Sequence, residues 1–112
     1  MLISIVLLLA AAIPHSFAPP QSGTDQGKKG QVVYTAHKCQ MCHSIAGKGN
    51  KQNPLDGIGA KLSAGDIRMW ITNPAEMMAK TKSTKKPPMP NKYGKLHAAD
   101  LDALVAYLQS LK

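Results

Sequence analysis

The chain has 112 residues, room for one domain, and sets 14 Lys and Arg against 6 Asp and Glu for a formal charge of +8. Aromatic residues make up 4% of it and the single Phe is Phe17, so its own side chains build a thin core unless something bulky and apolar fills the middle. A basic surface suits nucleic acid, an anionic membrane or an acidic protein partner; the lysines are scattered and no nucleic-acid-binding signature accompanies them, which argues against nucleic acid.

Residues 2–13, LISIVLLLAAAI, form an apolar run interrupted by Ser4 and ended by Pro14, and Ser16 and Ala18 occupy the −3 and −1 positions of a signal-peptidase site. The run falls short of the about 20 apolar residues that span a membrane. Residues 1–18 therefore read as an export signal, or as an N-terminal anchor if it stays uncleaved; Pro19 after Ala18 and the absence of Lys or Arg from this stretch weaken the case for cleavage without reversing it. The expectation is an exported, periplasmic protein, soluble or tethered to the membrane by this segment. Residues 19–27, PPQSGTDQG, read as a flexible linker, and 28–112 as the folded domain.

From Lys28 the pattern becomes helical, with Val32, Val33 and Ala36 spaced for an amphipathic helix that runs into Cys39. Residues 44–62 are rich in Gly, Asn and Lys and suit a long loop around a ligand. Ser63-Ala64-Gly65-Asp66 is a capping-box-like start for a helix carrying Ile67, Met69, Trp70 and Ile71. Asn73-Pro74-Ala75-Glu76 starts another, with an N-cap residue, Pro at the first helical position and an acid in the first turn. Between Lys80 and Lys95 lie Lys80, Lys82, Lys85, Lys86, Lys92 and Lys95, while Pro87, Pro88 and Pro90 exclude a helix there. The last helix places Leu101, Leu104, Val105, Leu108 and Leu111 on one stripe, with Asp100 and Asp102 near its positive end. The fold class is all-α, about four short helices joined by long loops.

Cys39-Gln40-Met41-Cys42-His43 is the strongest signal. Two thiols three residues apart on one helical turn can both add to the vinyl groups of a haem, and the next residue projects an imidazole toward the iron. A redox dithiol would want a βαβ setting, and a zinc site would want further Cys. A plain disulfide would suit an oxidising compartment. The adjacent His and the all-α pattern weigh against all three. A low-spin carrier needs a sixth ligand, and a thioether raises the potential relative to a second imidazole. Met41 lies inside the attachment turn, and Met69, Met77 and Met78 fall in helices where Met usually fills core. Met89, in the stiff Pro87-Pro88-Met89-Pro90 segment 46 residues beyond His43, is the candidate, with Met77 or Met78 next. His37 reads as a surface residue, His97 as the N-cap of the last helix, and His15 belongs to the export segment.

These residues resemble the class I cytochrome c family from about Gly30 to Lys112, and the short Met-to-His spacing resembles its compact bacterial type. The resemblance implies a fold wrapped around one covalent haem c, its iron held by His43 and Met89. It implies that Gly30 and Tyr34 on the first helix cross Leu104 and Tyr107 on the last. In Asn53-Pro54-Leu55, it implies that the Pro54 carbonyl accepts a hydrogen bond from the His43 imidazole and fixes its tautomer. Trp70 is similar to the family's Trp near the haem propionates, with a plain core Trp as the alternative. The function implied is single-electron transfer through an exposed haem edge, not enzymatic turnover. Lys82, Lys85, Lys86 and Lys92 would then steer acidic redox partners. A subunit anchored in a membrane respiratory or photosynthetic complex is the first alternative. A haem enzyme or gas sensor with a labile Met is the second.

Overall fold

Helix α1 spans Thr24–Ala36 and is the first element of the computed structural model, which describes residues 24–112. Residues 1–18, expected as an export signal or anchor, and residues 19–23 of the expected linker lie outside the described residues. Residues 24–27, expected as linker, are the first turn of α1, where Asp25 meets the positive end of the helix. The buried face also differs from expectation. Gly30, Val33 and Tyr34 turn inward, at the i, i+3, i+4 spacing of one helical face, whereas Val32 is 68% exposed and Ala36 faces solvent. Lys38, in a left-handed conformation at φ 57°, ends this direction of travel and starts a 3-10 turn over Cys39–Met41.

A two-residue hairpin follows, β1 (Ser44–Ile45) paired antiparallel with β2 (Lys48–Gly49). Ala46 and Gly47 both have positive φ, as a tight hairpin turn requires. The stretch expected to be loop also contains a one-turn helix, α2 (Ile58–Lys61), which brings the number of α-helices to five among the described residues.

Helix α3 (Ala64–Thr72) starts as its sequence demands: Ser63 Oγ accepts from the Asp66 N–H at 3.1 Å. Ile67 and Ile71, one turn apart, are its buried residues. Asn73 is shared between this helix and α4 (Pro74–Thr81). Its N–H closes α3 on Met69 O and its carbonyl opens α4 by accepting from Met77 N. With its main chain used both ways, its side chain turns back onto Thr72 and Met69 and does not cap α4. A second 3-10 turn covers Tyr93–Lys95, and α5 runs over Ala98–Gln109.

The core joins Val33 and Tyr34 of α1, Ile67 and Ile71 of α3, and Leu101, Leu104, Val105 and Leu108 of α5. The α1–α5 crossing is the most extensive contact between elements. Gly30 is what permits it: a Cβ there would overlap the Ala103 carbonyl and the Tyr107 side chain. One turn on, the rings of Tyr34 and Tyr107 meet edge to face at 6.0 Å. Helix α2 is fastened to the chain end by Gly59 N–H donating to Leu111 O at 2.7 Å and Gln109 Nε2 donating to Gly59 O at 2.8 Å. Arg68 pairs with Asp102 between α3 and α5, in an exposed setting where such pairs contribute about 0–1 kcal/mol. The architecture is the expected all-α one. Among the described residues no helix is long and apolar enough to cross a membrane.

Candidate functional site

The attachment turn is tight, with Cys42 and His43 N–H both directed at Cys39 O, at 3.2 and 3.0 Å. That geometry leaves the carbonyls of residues 40–43 without helical partners, and two asparagines supply them. Asn50 N–H is shared between Gln40 O and His43 O, both at 3.0 Å, and Asn50 Nδ2 donates to Met41 O at 3.1 Å. Asn53 Nδ2 donates to Cys42 O at 3.2 Å. Gly49, at φ 107°, lets the returning strand approach this closely, because a Cβ would overlap His43 O. The two sulfurs are not bonded to each other. Cys39 is half-buried, and burial pushes its thiol above the ordinary value; Cys42 is exposed.

His43 Nδ1 lies 3.1 Å from the main-chain oxygen of Asn53. A carbonyl only accepts, so Nδ1 carries the proton and Nε2 keeps its lone pair. The acceptor corrects the expectation for Pro54. Ser44 and Pro54 form a parallel bridge in which Ser44 N–H donates to Asn53 O and Leu55 N–H to Ser44 O. In extended chain successive carbonyls alternate sides, so the Asn53 oxygen faces His43 and the Pro54 oxygen faces away. Pro54 instead lines the cavity. Burial holds the imidazole below its usual pKa; the Asn53 carbonyl opposes this, and the Lys85 charge adds to it.

Next to His43 an apolar cavity of about 410 Å³, open on one side, is lined by Cys39, Leu55, Trp70, Met89 and Leu108 among others. A recess of about 140 Å³ shares Cys39, His43, Trp70 and Met89 with it and adds Cys42 and Met78. Of the expected site residues, Cys39, His43, Pro54, Trp70 and Met89 border the larger space, and Cys42 borders the recess. Met77 is buried in the fold and Met41 is 67% exposed, so of the remaining methionines Met78 is the one that reaches this space. Tyr34 also lines it; its hydroxyl is buried without a partner among the described residues, and burial pushes its pKa up to about 12.

Two thiols, an imidazole with a free Nε2, a thioether and apolar walls form a donor set that fits a covalently bound haem. The cavity is also within the about 300–1,000 Å³ range of cofactor pockets. Asn50 was not singled out by sequence reasoning, and Asn53 and Lys85 were named there only as the residue before Pro54 and as a steering charge. The run of Asn, Gln and Lys after the motif was a signal, since Asn side chains bind nearby main-chain groups, but which carbonyls they reach depends on the fold.

No curated protein and no solved structure matches the chain. The family model described as Cytochrome c matches residues 27–112, from the first helix to the last residue. On that match, and on an attachment turn that borders an apolar cavity, the chain belongs to the cytochrome c family, electron-transfer proteins that bind haem c, with its iron, covalently.

Proposed function

We propose that this protein is a single-electron carrier whose iron is ligated by His43 and Met89, and that it shuttles electrons between redox partners outside the cytoplasm. The observation that carries the reading is that Cys39, His43 and Met89 border one apolar cavity. Haem supplies a one-electron couple at its iron. Cys39 and Cys42 would anchor the ring through thioethers, and His43 presents Nε2 because Asn53 O holds Nδ1–H. Met89 stands between Pro88 and Pro90, whose fixed φ angles stiffen the segment that presents the sulfur. A haem seated against the apolar walls would have less water around it, which would limit solvent reorganisation when the charge changes. Lys82, Lys85, Lys86 and Lys92 are exposed around the Met89 loop and would steer an acidic partner to this edge. Residues 1–18 support a periplasmic location, as an export signal or as a tether.

The test is the far-red sulfur-to-iron absorption band of the oxidised holoprotein. The band is expected in the wild type and in Met78→Leu, and is expected to vanish in Met89→Ala. A band that survives in Met89→Ala and vanishes in Met78→Leu transfers the role to Met78. A wild type without the band favours a haem enzyme or sensor over a carrier.

A further inference from the structure

The loop that bears Met89 and the segment that holds His43 meet at one side chain, Asn53. Its main-chain oxygen accepts from His43 Nδ1 at 3.1 Å, its amide nitrogen donates to Cys42 O at 3.2 Å, and its amide oxygen accepts from Lys85 Nζ at 3.4 Å. Lys85 thus crosses from the distal loop to the proximal side and borders both the cavity and its recess. Among the described residues the one ion pair is Arg68–Asp102, so no carboxylate offsets the Lys85 ammonium.

We propose that Lys85, held in place by the Asn53 amide, is a positioning charge that raises the midpoint potential of the site. Oxidation removes one electron from the iron to the partner and leaves the site one unit more positive. A fixed ammonium at the rim disfavours that state and favours the reduced one. This role differs from steering: it acts in the free protein with no partner present, and it depends on where Asn53 holds the amine. The inference rests on the reading of His43 as an iron ligand.

The experiment is a spectroelectrochemical titration of the purified holoprotein at low ionic strength. Lys85→Gln is expected to raise the oxidised-to-reduced ratio at fixed applied potential about threefold, a fall of about 30 mV at 59 mV per decade for one electron. Lys85→Arg is expected to keep the wild-type value. Lys80→Gln, a neutralised lysine that borders neither space, is expected to shift the ratio by less than half as much. Asn53→Ala keeps the main-chain acceptor for His43 but frees the amine, so it lowers the potential when Lys85 is present and by clearly less in the Lys85→Gln background. High salt is expected to shrink the Lys85→Gln shift. The proposal is overturned if Lys85→Gln leaves the potential unchanged, if Lys80→Gln shifts it equally, or if the Asn53 and Lys85 changes simply add. Failure of the ligand reading is separate: it appears in the wild-type spectrum as iron that is not low-spin, before any variant is compared.

Discussion

The α1–α5 crossing and the Met89 loop are built on opposite principles. At the crossing, Gly30 admits the neighbouring backbone, Ala103 has no exposed surface, Leu104 is 2% exposed, and two tyrosine rings close the contact. Over residues 82–92, by contrast, three prolines and four lysines face solvent, and Ser83 and Met89 are the residues drawn in. The crossing derives its strength from apolar area removed from water and from close packing, neither of which is screened by salt as charges are. The loop contributes little burial and presents a sulfur and a field of positive charge. A protein can carry so lightly packed a segment because a few tightly packed helical turns elsewhere hold the domain together.

Substitutions at the crossing should therefore cost stability, and substitutions in the loop should change behaviour at nearly constant stability. The largest expected effect is Leu104→Ala, which opens a hole in the core and should lower unfolding free energy by about 3 kcal/mol in urea titration; a loss below about 1 kcal/mol would show that the crossing is not the anchor. Gly30→Ala should cost about 2 kcal/mol by forcing α1 away from the Ala103 carbonyl, with a matching fall in Tm. Tyr34→Phe tests the same contact more gently: it keeps the ring that meets Tyr107 edge to face and should change stability by less than either substitution above, within about 1 kcal/mol.

The pH dependence of Tyr34 follows from its raised pKa. The folded protein holds the phenolic proton more tightly than the unfolded chain does. The resulting stabilisation is complete below the ordinary value of 10.0 and is lost as pH rises toward about 12. Tyr34→Phe should flatten this alkaline loss in unfolding curves measured over that window. The smallest effect on stability is expected from Lys86→Glu with Lys92→Glu, within about 0.5 kcal/mol of wild type. The same pair should slow association with an acidic electron acceptor and weaken its salt dependence in stopped-flow traces. Unchanged rates would remove the loop lysines from partner recognition.

Parts of the fold were legible because their causes are local. Ser63 caps α3 with its own hydroxyl, Pro74 begins α4, and the Leu101–Leu108 stripe turns inward as its spacing requires. Other parts depended on distant groups. The inward face of α1 is chosen by where α5 lies, so Gly30 and Tyr34 outrank the more apolar Val32. The acceptor for His43 moved from Pro54 to Asn53 because a bridge to Ser44 sets which carbonyl faces the ring. The single turn α2 is anchored by Gln109 and Leu111, some fifty residues later, and carries no periodic pattern of its own.

By itself the amino-acid order determined the candidate attachment motif and the helical class. Thiol, thiol and imidazole within five consecutive residues can reach one ring whatever surrounds them, and a stripe at helical spacing needs no partner to be recognised. Tertiary structure alone decided which methionines reach the cavity, which carbonyl holds His43, and that Lys85 meets Asn53 at its edge. Those are relations between segments far apart in the chain, and hydrogen bonds and packing between such segments exist only once the helices have crossed.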